Sequence, residues 1–355
     1  MIIVHTSDLH LGSPLTSRLT GERLKERRNE LIATFMRTVE EATLRGAVLF
    51  IIAGDLFDTE RVSRKIKETV CSVIRHAPDI SFLYLPGNHE KDALLDGSVD
   101  LPQNLKIFGP EWTYFDFGFV TVAGKSRLGR DLFDGLVLDR ERTNIVVLHG
   151  ALTDRLGEDA IGLKDAQNRN IDYLALGHYH SFSKTPIDTR GIAVYSGTPE
   201  GRGFDEEGEC GVALIDANGS RIDVKLIPSA KREHIIKRVD ISECNDRIEI
   251  DNAVKNALTD IAPRHLVRIV LTGKHPPELY ADTDALRERY AEGFYHLEVI
   301  DESRILINPE DYQYDKTLKG EFIRLVMAEN GLSEEERDRI IRTGIGALLG
   351  DVDEF

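Results

Sequence analysis

Five times within the first 180 residues, an apolar run stops abruptly at a short polar motif containing Asp, Asn or His. Ile2-Ile3-Val4 leads to Asp8-x-His10, AVLFIIAGD (47–55) ends at Asp55, and SFLYLPGNHE (81–90) ends in Gly87-Asn88-His89-Glu90. NIVVLHG (144–150) ends at His149-Gly150, and IDYLALGHYH (171–180) at Gly177-His178-x-His180. Short apolar runs bounded by glycine and polar residues are the pattern of strands covered on both faces. The stretches between the first three read as helices. Over 22–45, Leu24, Leu31, Phe35, Val39 and Ala42 recur at helical spacing before a stop at Gly46, and a second helical stretch covers about 61–76. Strands alternating with helices predict a layered α/β core.

That architecture says where a site belongs. In α/β sheets, ligands gather at the carboxyl ends of strands, and glycine there lets the backbone turn sharply. Asp8 and His10 are two residues apart, and on an extended chain such side chains point to the same side. A carboxylate and an imidazole are thereby expected to face one point.

Further strand-like runs lie at 118–124, 192–197, 210–216 and 221–228, the last two a hairpin around DANGSR. Beyond Pro228 the pattern changes. Strands are expected at 235–240, 266–272 and 294–300, separated by helices over about 246–260 and 282–291, with GKHPPE (273–278) as a loop. The expected organisation is therefore a motif-bearing domain over 1–229, a small α/β domain over 230–312 with no catalytic motif of its own, and a helical segment over 313–355. In that segment Leu318, Phe322, Leu325 and Val326 read as one helical face, Gly331 as a break and Ser333–Glu336 as a capping box. Ile340, Ile341, Ile345, Leu348 and Leu349 form a second stripe.

Composition narrows the partners. The formal net charge is −16, which argues against unaided, tight binding to nucleic acid; bound divalent metals or a basic partner could supply local positive charge. No apolar run approaches the roughly 20 residues of a membrane span. With the Asp8 motif so close to the first residue, no cleavable leader is expected. Three sparse cysteines, Cys71, Cys210 and Cys244, fit free thiols in a reducing compartment. The expectation is a cytoplasmic protein.

The motif residues Asp8, His10, Asp55, Asn88, His149, His178 and His180 form a mixed nitrogen and oxygen ligand set without a thiolate. Such a set suits borderline or hard divalent ions, Mn, Fe, Zn, Co or Ni. It is too large for one tetrahedral ion and suits two ions that share a bridging carboxylate, roughly 3.5–4 Å apart. In order, DxH, GDxxD, GNHE, HG and GHxH resemble the calcineurin-like metallophosphoesterases, over about the first 230 residues. HTSDLHLG, AGDLFD and LPGNHE further resemble the SbcD/YhaO-type repair exonuclease subunits, and KGEFIRLV (319–326) resembles that branch's tail.

The resemblance implies a four-layer α/β/β/α sandwich with a small α/β cap domain and C-terminal helices. It implies one ion on Asp8, His10, Asp55 and His180, another on Asp55, Asn88, His149 and His178, and Asp55 as the bridge. Two divalent ions, Mn foremost, would lower the pKa of bound water and neutralise charge on phosphoryl oxygens. His89, left over beside Asn88, resembles the family's general acid or transition-state stabiliser. Asp58 keeps the second carboxylate of GDxxD, which in the phosphatase branch orients that histidine; in archaeal break-repair nucleases the position resembles a histidine instead. The same branch implies DNA as substrate, a cap that helps bind it, an SMC-like coiled-coil ATPase docked on the C-terminal helices, and a homodimer.

A plainer reading applies elsewhere. Six of the eleven histidines (His5, His76, His234, His265, His275 and His296) lie outside the motifs and read as ordinary core or surface residues. Glu90 reads as a supporting or solvated residue, and Arg202 in TPEGRGF (198–204) as a phosphate contact or part of a solvated loop. For the whole chain two other functions compete: a small-molecule phosphoesterase, and a scaffold with a relic site.

Overall fold

The strands of the motif region assemble into two six-stranded sheets. The first is built on β1 (Ile2–Thr6), β2 (Ala47–Ala53), β3 (Ser81–Leu85) and β4 (Leu105–Ile107), all parallel. The second contains β5 (Thr113–Phe117), β6 (Val120–Gly124), β7 (Thr143–His149), then, after the short pair β8 (Ala151–Leu152) and β9 (Ala160–Ile161), β10 (Tyr173–Gly177), β11 (Ser183–Pro186) and β12 (Ile192–Tyr195). β13 (Gly211–Asp216) and β14 (Asp223–Pro228) form an antiparallel hairpin that extends the first sheet from β1, in the order β14-β13-β1-β2-β3-β4. The second sheet runs β11-β12-β10-β7-β6-β5, with parallel central strands and antiparallel edges. The computed structural model describes every residue except 16–18, 91–92, 130, 154, 156, 158, 219–221, 277–278, 280, 307–311 and 350–355, and describes 338, 342, 346 and 349 by backbone alone. The tip of the DANGSR turn and the Leu349 side chain thus lie outside the described residues.

The layering follows from which face of each strand is apolar. Val4, Phe50, Ile52, Phe82 and Tyr84 pack against Leu31, Phe35 and Val39 of α1 (Gly21–Leu44) and Val70 and Ile74 of α2 (Arg64–Arg75). The alternate residues Ile3, Leu49, Ile51, Leu83 and Leu85 meet Val122, Ile145, Val147, Tyr173 and Val194 of the second sheet. The far side of that sheet is covered by Leu132, Phe133, Leu138 and Ile171 and by the short α3 (Leu163–Ala166). The fourth layer is therefore largely loop. Edge strands β5 (TYFDF) and β11 (SKTP) are half exposed, the first alternating and the second polar, so neither shows the continuous apolar run of the inner strands.

The chain divides into compact units Met1–Glu233 and His234–Phe355. In the second, β15 (His234–Asp240), β16 (Leu266–Thr272) and β18 (His296–Asp301) form a parallel sheet, β15-β16-β18, on which α4 (Arg247–Leu258) and α5 (Thr283–Tyr290) pack. β17 (Lys274–His275), in the expected loop, pairs with β19 (Arg304–Ile305). α6 (Leu318–Ala328) and α7 (Glu334–Leu349) follow. Ser333 and Glu336 form the capping box: Ser333 N donates to Glu336 Oε2 at 2.9 Å and Glu336 N to Ser333 Oγ at 3.2 Å. The face of α6 agrees with the expected one at Phe322 and Val326 but not at Leu318 and Leu325. Ile323 and Val326 are buried with Ile341 and Ile345 of α7, whereas Leu318 and Leu325 are 70% and 65% exposed. Among the described residues, no helix is long and apolar enough to cross a membrane, and Cys71, Cys210 and Cys244 are free thiols.

Candidate metal centre

Six neighbouring parallel strands, three from each sheet, end at one place. β1 delivers Asp8 and His10, β2 Asp55, β3 Asn88 and His89, β7 His149, β10 His178 and His180, and β12 the supporting residues Ser196 and Thr198. Asp8 and His10 come together, but not by alternation along an extended strand. β1 stops at Thr6, and Asp8 and His10 have φ of 52° and 45°. Asp55 (50°) and His178 (105°) share that left-handed backbone, so four of the seven described non-glycine residues with positive φ belong to this centre. Such a conformation costs on the order of 1–3 kcal/mol per residue and persists only where the surroundings enforce it. Here the enforcement is visible: Asp8 N donates to Gly54 O at 3.1 Å, and His10 N to Asp55 O at 2.9 Å. Gly54 and Gly87 are required, since a Cβ on either would collide with His149 or Asp55.

Among the described residues, two groups of side chains have donor atoms close enough to hold a cation: Asp8, His10 and His180, and Asp8, Asp55 and His149. Three histidines are built alike. His149 Nδ1 donates to Ala53 O at 2.9 Å, while its Nε2 lies 3.0 Å from Asn88 Oδ1 and 3.4 Å from Asp55 Oδ2. His180 Nδ1 faces Glu206 Oε1 at 2.7 Å, and its Nε2 lies 3.8 Å from Asp8 Oδ1. His10 Nδ1 faces Asp58 Oδ1 at 3.1 Å, and its Nε2 lies 3.7 Å from Asp55 Oδ2. In each, Nδ1 is held from outside and Nε2 is turned to the carboxylates, which is how a metal-bound imidazole is normally supported. Neither ring nitrogen of the buried His10 makes a hydrogen bond among the described residues: Nδ1 has the close approach of Asp58, and Nε2 faces only the carboxylates of the cluster. An atom of that kind, aimed at two buried carboxylates, fits a cation.

His178 and His89 are placed differently. His178 N donates to both carboxylate oxygens of Asp8 at 3.1 Å, and its ring lies edge-on to His149 with centroids 5.6 Å apart. His89 N donates to Asp55 Oδ1 at 3.3 Å, and its side chain, 52% exposed, holds Nε2 4.0 Å from Asp55 Oδ2. Asp58 has a different partner from the one the resemblance implies: it faces His10 and Arg202. Burial would raise the Asp55 carboxyl, but His149, His10 and His89 hold it down, at about 2.

Three supporting residues were missed or undervalued in the sequence. Glu90 is fully buried and accepts from Leu56 N at 3.0 Å, Phe57 N at 2.5 Å and Gly87 N at 3.2 Å, tying the Asp55 loop to the Asn88 loop. Burial and nearby Asp55 push its carboxyl up to about 7. Glu206 and Arg202 complete the support of His180. The GNHE motif gave a signal for Glu90; Glu206 stands outside every motif. Glu200 anchors the loop behind them, accepting from Arg27 Nη1 at 2.8 Å, Thr34 Oγ1 at 2.7 Å and Lys231 N at 2.6 Å.

A doubly layered α/β fold with clustered Asp, Asn and His at its strand ends defines a metal-dependent phosphoesterase. Residues 1–182 match the family described as calcineurin-like phosphoesterase, and the chain belongs to that family. The DNA double-strand break repair protein Mre11 of Aeropyrum pernix is 25% identical over 284 residues, covering 72% of this chain and 67% of that protein. A solved structure, described as a novel archaeal phosphodiesterase, aligns at 11% identity with a TM-score of 0.37 over 64% of this chain and 100% of that one. That likeness is too distant to bear on function.

Proposed function

We propose that this chain is a dinuclear-metal phosphodiesterase that cleaves DNA, as the nuclease subunit of an SbcCD-like double-strand-break repair complex. The observation that carries the metal chemistry is the convergence of three Nε2 atoms, each with its Nδ1 held from behind, on Asp8 and Asp55. Asp8, His10, Asp55 and His180 would hold one divalent ion, and Asp55, Asn88, His149 and His178 the other, with Mn the preferred metal. When bound, the ions supply positive charge for the phosphoryl oxygens and acidify a water molecule. The half-exposed His89 can reach substrate while its backbone stays fixed to Asp55, which suits a general acid or transition-state stabiliser. Asp58 serves His10 and acts as a positioning residue.

DNA as substrate is supported by the likeness to Mre11. It covers 72% of 355 residues, about 256, more than the 233 of the first unit, so it extends into the second. Within this reading 230–312 caps the site and contacts DNA. The segment 313–355 docks an SMC-like coiled-coil ATPase, for which the exposed Leu318 and Leu325 of α6 offer an apolar face. A homodimer and a cytoplasmic location belong to the same reading. The net charge of −16 favours the second reading, a phosphoesterase for small nucleotides or other esters.

The test is hydrolysis with Mn²⁺ of double- and single-stranded DNA, a chromogenic phosphodiester and a nucleotide panel, with Asp55→Ala as control. DNA cleavage that is lost in the variant supports the nuclease. Turnover confined to small esters, and unchanged when the ATPase partner is added, selects the second reading.

A further inference from the structure

Two residues assigned to the same ion share one support. His10 Nδ1 is backed by Asp58 and His180 Nδ1 by Glu206. A single guanidinium joins those carboxylates. Arg202 Nη1 donates to Asp58 Oδ1 at 3.1 Å, and its Nε and Nη2 donate to Glu206 Oε1 at 3.0 and 2.7 Å. Its backbone N adds a bond to Glu206 Oε2 at 2.6 Å; Nη2 also lies 3.3 Å from His180 Nδ1, an approach that is no hydrogen bond in the tautomer that gives the Nδ1 proton to Glu206. The Arg202 and Glu206 side chains are only 15% and 2% exposed. Arg202, which in the sequence read as a phosphate contact or part of a solvated loop, is thus already occupied, with its fork turned inward.

The chemistry of this arc is specific. A carboxylate that accepts from Nδ1–H fixes the tautomer whose Nε2 lone pair points at a cation, and makes the imidazole a stronger ligand. Two such carboxylates beside Asp8 and Asp55 would repel one another without a counter-charge. A guanidinium is always charged, and its planar fork satisfies two carboxylates in fixed directions; an ammonium has no such geometry. His149 needs none of this, because its Nδ1 is held by the backbone at Ala53.

We infer that Arg202, acting through Asp58 and Glu206, is a positioning residue for one ion site of the pair, that of Asp8, His10 and His180, and is not a substrate-binding arginine. This rests on the dinuclear reading above.

The experiment is a calorimetric Mn²⁺ titration of the full chain and of Arg202→Ala, Arg202→Lys and Glu206→Gln. It is paired with electron paramagnetic resonance of the bound Mn²⁺ and with kcat and KM on a chromogenic phosphodiester. The parent takes up two equivalents and gives a spin-coupled signal. In Arg202→Ala and Glu206→Gln one equivalent weakens about 10- to 100-fold while the other is unchanged. The coupled signal gives way to that of an isolated ion, and kcat falls at limiting Mn²⁺ and recovers in excess. Arg202→Lys fails to restore the second equivalent. Two equivalents retained with a raised KM would make Arg202 a substrate ligand and overturn the proposal, as would equal weakening of both ions. A parent that binds fewer than two equivalents would overturn the dinuclear reading, and the positioning role with it. Glu206→Gln preserves side-chain size, so it carries the test if Arg202→Ala does not fold.

Discussion

In both units aspartates stand at or just beyond the ends of parallel strands, yet the carboxylates are used in opposite ways. In the second unit β15 ends at Asp240 and β18 at Asp301, each followed two residues later by serine. Asp240 Oδ1 accepts from Ser242 N and Oγ at 2.9 and 2.7 Å, and Asp301 Oδ1 from Ser303 N and Oγ at 2.9 and 2.5 Å. Each of these carboxylates finds partners within its own turn. In the first unit the strand is followed by Asp-x-His instead. Asp8 also bonds locally, accepting from Ser7 Oγ at 2.5 Å, but it takes His178 N from another sheet and faces His180. Parallel strands with helices packed on them are common to both units. Chemistry arises where strand-end carboxylates meet groups from other strands.

The sharpest way to break that contrast is to remove one aspartate from each unit. Asp55→Ala should abolish uptake of both ions and lower turnover by roughly 10³-fold or more. Asp240→Ala should leave both intact on a chromogenic phosphodiester. Turnover surviving in Asp55→Ala would remove Asp55 as the bridge. His89→Ala comes next. Calorimetry should still find two equivalents of Mn²⁺, while kcat drops about 10²-fold; a fall in metal content would instead make His89 a ligand.

Glycines sharpen the comparison further. A Cβ at Gly87 would strike Asp55 Oδ1, whereas one at Gly273 (φ +98°) would strike Asp240 and Ser242. Gly87→Ala is expected to cut metal affinity. Gly273→Ala is expected to cost about 1–3 kcal/mol in chemical denaturation with ester hydrolysis unchanged. The smallest effect lies in the acid stability of the first unit. Burial would raise the Glu30 carboxyl, but Arg232, Lys231 and Arg27 pull it down to about 2, against 4.5 in an unfolded chain. That stabilisation is complete above pH 4.5 and drains away as pH falls toward 2. Denaturation midpoints measured from pH 6 to 2.5 should fall less steeply in Glu30→Gln. An unchanged slope would remove Glu30 from the acid response.

Much of the first unit was legible because its strands are covered on both faces. AVLFIIA and SFLYL can be read as strands from composition alone, and the loop just beyond each is where a parallel sheet places chemistry. Edge strands β5 and β11, half solvated, carry no such run. On α6 the spacing of Leu318, Phe322, Leu325 and Val326 reads as one face, but only Phe322 and Val326 of the four pack inward. Contact with Ile341 and Ile345 of α7 centres the packed face on Ile323 and Val326, with Phe322 beside them.

Residue type and order were enough to establish an α/β phosphoesterase with a nitrogen- and oxygen-rich cation site, because strand ends and ligand chemistry are local properties. Partnership across elements was not local, and only folding assigned it. Asp58 turned to His10, Arg202 turned inward, and Glu206 came to stand behind His180 from 26 residues further along the chain. Hydrogen bonds of that kind depend on how loops from different strands meet in space, and no spacing along the chain encodes the meeting.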